Sequence, residues 1–104
     1  MLKTMSFMNN VQSLEMSKKN LITKRGKWEV ILHNDDHNTF DHVVTCLMDV
    51  CAQNYLQAVS CATLVHQNSR CSVFVDVWDE CEDVRTELSD LGLMVTTSKY
   101  KKYA

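Results

Sequence analysis

The chain has 104 residues, 45% of them hydrophobic and 23% charged, with a formal net charge of −2, which leaves room for one domain around one core and excludes two. No apolar run approaches the roughly 20 residues of a membrane span, and residues 1–20 lack the apolar stretch of about 7–15 residues of a secretory signal, so a cytoplasmic protein with no membrane partner is expected. The charge is uneven: from Met1 to Lys27 six basic residues face Glu15 alone, a balance of +5, whereas Trp28 to Thr97 sets two arginines against twelve acids, −10, a field that repels phosphate backbones and argues against nucleic acid as a partner of the domain body.

Residues 1–26 are rich in Met, Asn, Ser and Lys with apolar residues at no regular period, and read as a flexible N-terminal extension to a domain spanning 27–104. Trp28, Val30 and Leu32 then alternate with Lys27, Glu29 and Ile31, the pattern of a short strand. The run HNDDHN over His33–Asn38 is a turn-forming cluster whose short polar side chains can satisfy their own backbone. Phe40, Val43, Val44, Leu47, Val50 and Cys51 fall on one helical face, with Asn38 and Asp41 as the expected cap and its reciprocal acid.

Ala58, Cys61, Ala62 and Val65 mark a second helix from Tyr55 to about Gln67, ended by Asn68-Ser69; its small residues allow close packing. Cys71, Val73, Val75 and Val77 alternate with Ser72, Phe74 and Asp76 as a second strand. Cys81, Val84, Leu88 and Leu91 mark a third helix stopped by Gly92 at the C′ position, and Leu93 to Thr97 is a last strand. The order is β-α-α-β-α-β. An α+β, two-layer domain follows, with a three-stranded antiparallel sheet packed by three helices. The five cysteines, Cys46, Cys51, Cys61, Cys71 and Cys81, are odd in number, include no C-x-x-C pair and sit where apolar residues fit, so reduced, buried thiols are expected.

The residues able to carry chemistry are the loop Asn34-Asp35-Asp36 and His66 near the end of the second helix. Adjacent carboxylates beside an amide either cap the chain or receive a cationic ligand, and a histidine on an apolar helix edge is otherwise a hydrogen-bonded core residue. A metal site from His33, Asp35, Asp36 and His37 is disfavoured because neighbouring residues rarely converge on one ion. A hydrolase using His66 and Asp36 with Thr39 or a cysteine lacks a strained nucleophile turn and an oxyanion motif. No metal, cofactor or catalytic activity is expected.

The stretch WEVILHNDDHNTFDHVV, followed some twenty residues later by ATLVHQNSRCSV, is similar to the ClpS family, adaptors of the N-end rule that serve Clp proteases. The likeness runs from about Lys27 to Thr97, and the spacing of N-D-D to V-H is its most specific part. The resemblance implies a domain that binds free N-termini carrying a large hydrophobic first residue (N-degrons) and delivers them to a Clp AAA+ unfoldase. It maps the α-amino group onto Asn34, Asp36 and His66, with Asp35 shaping the loop and touching the peptide backbone. Leu32, Phe40, Val43, Ala62, Val65 and Leu93 are implied as the hydrophobic pocket, and Glu80 and Arg85 as contacts to the N-terminal domain of the unfoldase, A-type or C-type. A monomer is expected. Many relatives carry Thr-Pro-Met where this chain has Asn38-Thr39-Phe40, and Met where it has Ala62; larger Phe40 and smaller Ala62 offset each other in volume. The alternative is an interaction module of the same fold that modulates the unfoldase without recognising N-degrons.

Overall fold

The computed structural model describes residues 24–101, so most of the expected extension, residues 1–23, lies outside the described residues. Among these, the order is β1 (Lys27–His33), α1 (Phe40–Cys51), α2 (Tyr55–Asn68), β2 (Arg70–Val77), α3 (Trp78–Asp90) and β3 (Met94–Lys99). β1 is the central strand, paired antiparallel to β2 on one side and to β3 on the other. This is the expected β-α-α-β-α-β order and two-layer α+β class. Lys24, inside the expected extension, packs on the domain: its carbonyl accepts from Trp28 Nε1 at 2.9 Å, and its ammonium lies 3.7 Å from the centre of the Trp78 ring, a cation–π contact.

The core lies between the helices and one face of the sheet. Val30 and Leu32 of β1, Leu47 of α1, Ala58 of α2, and Cys81 and Leu88 of α3 belong to one buried cluster. The small Ala58 and Ala62 let α2 approach its neighbours closely.

Strict alternation fails in β2. Val30 pairs with Phe74 but Ile31 pairs with Ser72, so Val73 is an extra residue, a β-bulge. The bulge keeps Cys71, Val73 and Phe74 packed toward the core. Beyond it the facing reverses: Val75 and Val77, expected inward with Cys71 and Val73, lie opposite Glu29 and Lys27 and are 39% and 53% exposed.

Three helix ends carry local devices. α1 is capped by Thr39, whose hydroxyl accepts from the His42 N–H at 3.1 Å; Asn38, the expected cap, is used elsewhere. α2 opens with a full capping box between Asn54 and Gln57, a signal the sequence reading passed over. α3 ends in a Schellman motif: Gly92, at φ 93, donates to the Ser89 carbonyl and Leu93 donates to that of Leu88. Leu91 caps this helix and is exposed, correcting its expected place in the core.

Candidate functional site: an open cavity between the post-strand loop and two helices

The loop 34–38 is built by its own side chains. The Asn34 N–H donates to the Ser69 carbonyl at 2.8 Å, which continues the β1–β2 pairing past His33 and Arg70 and ties the loop to the end of α2. One carboxylate oxygen of Asp35 accepts from the backbone N–H groups of His37 and Asn38, both at 2.8 Å, and the other accepts from Asn38 Nδ2 at 2.7 Å. Burial alone would raise the Asp35 carboxyl; the Asn38 backbone and side-chain donors, with the His37 N–H, outweigh it and hold the group below the usual carboxylate range. The second Asn38 amide hydrogen goes to the Gly92 carbonyl at 2.9 Å, across 54 residues of sequence. Asn38 thereby ties the loop to the Schellman turn that ends α3.

Beside this loop lies an open cavity of about 460 Å³. Its polar rim is Asn34, Asp35, Asn38 and His66; its apolar wall is Phe40 and Val43 from α1 with Ala62 and Val65 from α2. Ala62 and Val65 are buried, while Phe40 is 46% exposed and stands at the opening. His66 occupies the last turn of α2, where unpaired helix carbonyls give the negative end of the helix dipole. The combination of a rim of acceptors and a greasy wall suits a ligand with a cationic, donor-rich end and an apolar body.

The structure brings together Asn34, Asp35 and His66, which are remote in sequence, with Phe40, Val43, Ala62 and Val65. Three other expected residues lie outside the cavity lining. Asp36 is exposed. Leu32 and Leu93 are core residues at 1% and 4% exposure, Leu93 because the Schellman turn folds it back toward Leu88. Asn38, which sequence reasoning treated only as a helix cap, lines the cavity and supports its loop; the Asp35–Asn38 spacing is the signal that could have found it. On α3, Glu80 is exposed in the first turn and Arg85 is engaged by Glu82 at 2.9 Å. Among the described residues, no group of three or more His, Cys, Asp or Glu is placed to hold a metal ion. His33 instead meets the Thr96 hydroxyl at 2.8 Å.

The chain is thus a two-layer α+β domain with an open cavity that has a polar rim and an apolar wall. The chain belongs to the ClpS family: the family model described as ATP-dependent Clp protease adaptor protein ClpS matches residues 23–96. Among solved structures, the chain is similar to Agrobacterium tumefaciens ClpS2 bound to L-phenylalaninamide, with 26% sequence identity and a TM-score of 0.69, covering 71% of this chain and 96% of that one. No curated protein matches the chain. The protein is therefore an adaptor of a Clp protease.

Proposed function

We propose that the cavity receives the free N-terminus of a polypeptide whose first residue is large and hydrophobic, an N-degron, and that the adaptor delivers it to a Clp AAA+ unfoldase. The observation that carries this reading is the meeting of Asn34 and His66 at the mouth of a cavity walled by Phe40, Val43, Ala62 and Val65. An α-ammonium has three donors and a positive charge. The Asn34 amide oxygen and an unprotonated His66 nitrogen accept from it, the C-terminal end of α2 favours its charge, and the exposed Asp36 adds a negative field nearby. Asp35, whose oxygens are occupied by His37 and Asn38, holds the loop in place. The first side chain lies against the apolar wall; burying one such side chain contributes about 1.5–3 kcal/mol. ClpS2 from Agrobacterium was solved with L-phenylalaninamide, a molecule with a free amino group and one aromatic side chain, which supports the same mode here.

Glu80 and Arg85 on α3 are proposed to face the N-terminal domain of the unfoldase, with Arg85 held in an orientation set by Glu82. The test is a fluorescence anisotropy series with peptides identical except for a first residue of Leu, Phe, Trp, Val or Gly. Binding at about micromolar Kd is expected for the large apolar residues, and at least about tenfold weaker for Gly. Equal affinity across the series would leave the fold as an unfoldase-modulating module without N-degron recognition.

A further inference from the structure

The loop 34–38 crosses the end of the sheet, in which β1 is flanked by β2 on one side and by β3 on the other. Asn34, at its start, is bonded to Ser69, the residue before β2, whereas Asn38, at its end, is bonded to Gly92, two residues before β3. Neighbouring strands lie about 4.8 Å apart, so the two anchors are separated by about twice that, on the order of 10 Å. Asn34, Asn38 and His66 all line the cavity, and His66 lies near Ser69 at the end of α2. The polar rim is therefore in two parts, with Asn34 and His66 toward β2 and Asn38 toward β3.

The side-chain amide of Asn38 has its nitrogen fully engaged and its oxygen open. Nδ2 donates to Asp35 Oδ2 at 2.7 Å and to the Gly92 carbonyl at 2.9 Å. Both partners are acceptors, so only the nitrogen can face them, which fixes the orientation of the amide. Among the described residues Oδ1 meets no donor, and it is not one of the side-chain oxygens sealed from solvent without a partner, which are Gln53 Oε1 and Thr97 Oγ1. Water satisfies such an open acceptor until a ligand covers it. An apolar side chain laid over Oδ1 strips that water and leaves the oxygen unpaired, whereas a side chain with its own N–H or O–H takes the place of the water.

Resting on the reading of the cavity as a site for a free N-terminus, we propose that Asn38 is a specificity-determining residue: its Oδ1 accepts a hydrogen bond from the side chain of the bound first residue, and the site thereby favours Tyr and Trp over Phe and Leu. With the ammonium held at Asn34 and His66, the first side chain runs past Ala62, one turn before His66 on α2, and along Phe40 and Val43 to the β3 side where Asn38 sits. Tyr and Trp are long enough to cross the cavity and carry a donor to its far side. Phe crosses it without a donor, and Leu is shorter. Ala62 contributes only a methyl group to the wall, which leaves room for an indole ring.

The test is competition binding to the full chain of peptides identical except for a first residue of Tyr, Phe or Gly. Tyr is expected to bind about three- to tenfold tighter than Phe, the worth of one neutral hydrogen bond, and Gly at least about tenfold more weakly than Phe. In Asn38→Ala the Tyr-to-Phe ratio is expected to fall to about one, even where a loosened loop weakens both peptides, because lost loop support acts on both alike. Should that variant fail to fold, the side-chain NH2 signals of Asn38 in the NMR spectrum of the unaltered chain decide: the Tyr peptide is expected to shift them further than the Phe peptide does. Phe bound as tightly as Tyr, a ratio that survives Asn38→Ala, or Asn38 signals indifferent to the hydroxyl would each overturn this role of Asn38, and would leave N-terminal recognition standing as long as Phe outbinds Gly. Tyr, Phe and Gly bound alike would remove the pocket for a first residue, and this role with it.

Discussion

Asp35 accepts three hydrogen bonds within its own loop, and its carboxyl is held below the usual range by them. A group whose folded value lies below its unfolded one contributes stability in full above the unfolded value, near about 3.9 for Asp, and loses it as pH falls through the folded value. Asp35→Ala is therefore expected to cost about 1–3 kcal/mol near neutral pH, a difference that shrinks as urea unfolding is repeated at progressively lower pH below about 4. A gap between the two proteins that stays constant on acidification would place the contribution of Asp35 outside its charge. The neighbouring Asn38 shows where local sequence stops being informative. Asn and Thr are both good helix caps, and HNT precedes the helix, so the sequence offers two candidates. The Asn38 amide donates instead to Asp35, three positions back, and to the Gly92 carbonyl, 54 positions away, and Thr39 caps the helix.

Among the elements, the link from α1 to α2 contains a conformational cost. Ala52 caps α1 in the left-handed region at φ 56, where a side chain with a Cβ is disfavoured and glycine is not. Ala52→Gly is expected to raise the unfolding free energy by about 0.5–1 kcal/mol, read from chemical denaturation; a loss of stability would mean that the Ala52 methyl group packs usefully. The element pattern itself was readable: alternation gave the strands, the 3.6-residue period gave the helices, and Gly92 gave the end of α3. What alternation could not give was the bulge at Val73. One inserted residue inverts every side chain beyond it, so Val75 and Val77, apolar at the right spacing, face away from the helices. Leu91 was misread for a related reason, since periodicity does not mark the residue at which a helix turns into its cap.

For the whole molecule, the residues of the candidate cavity could be singled out in sequence only because polar residues on separate elements matched a known pattern. Spacing placed Asn34 after a strand and His66 at the end of a helix, but the Asn34–Ser69 backbone hydrogen bond, which brings them to one cavity, arises from the β1–β2 pairing. Leu32 and Leu93 could not be told from pocket residues in sequence, because core and cavity wall use the same side chains. The acidic body, −10 over Trp28 to Thr97, favours approach of a cationic chain end. Association with an N-terminal peptide is expected to slow as ionic strength rises, because the field is screened beyond about 10 Å at 0.1 M salt; stopped-flow rates independent of salt would remove charge from the account of capture. The most direct measurement of the central claim is calorimetric titration of one peptide beginning with Phe and of its N-acetylated twin. The account predicts about micromolar binding of the free peptide and a loss of about a hundredfold or more on acetylation, since the charge and two of the three donors disappear together. Equal binding of the two would contradict recognition of the α-ammonium at Asn34 and His66.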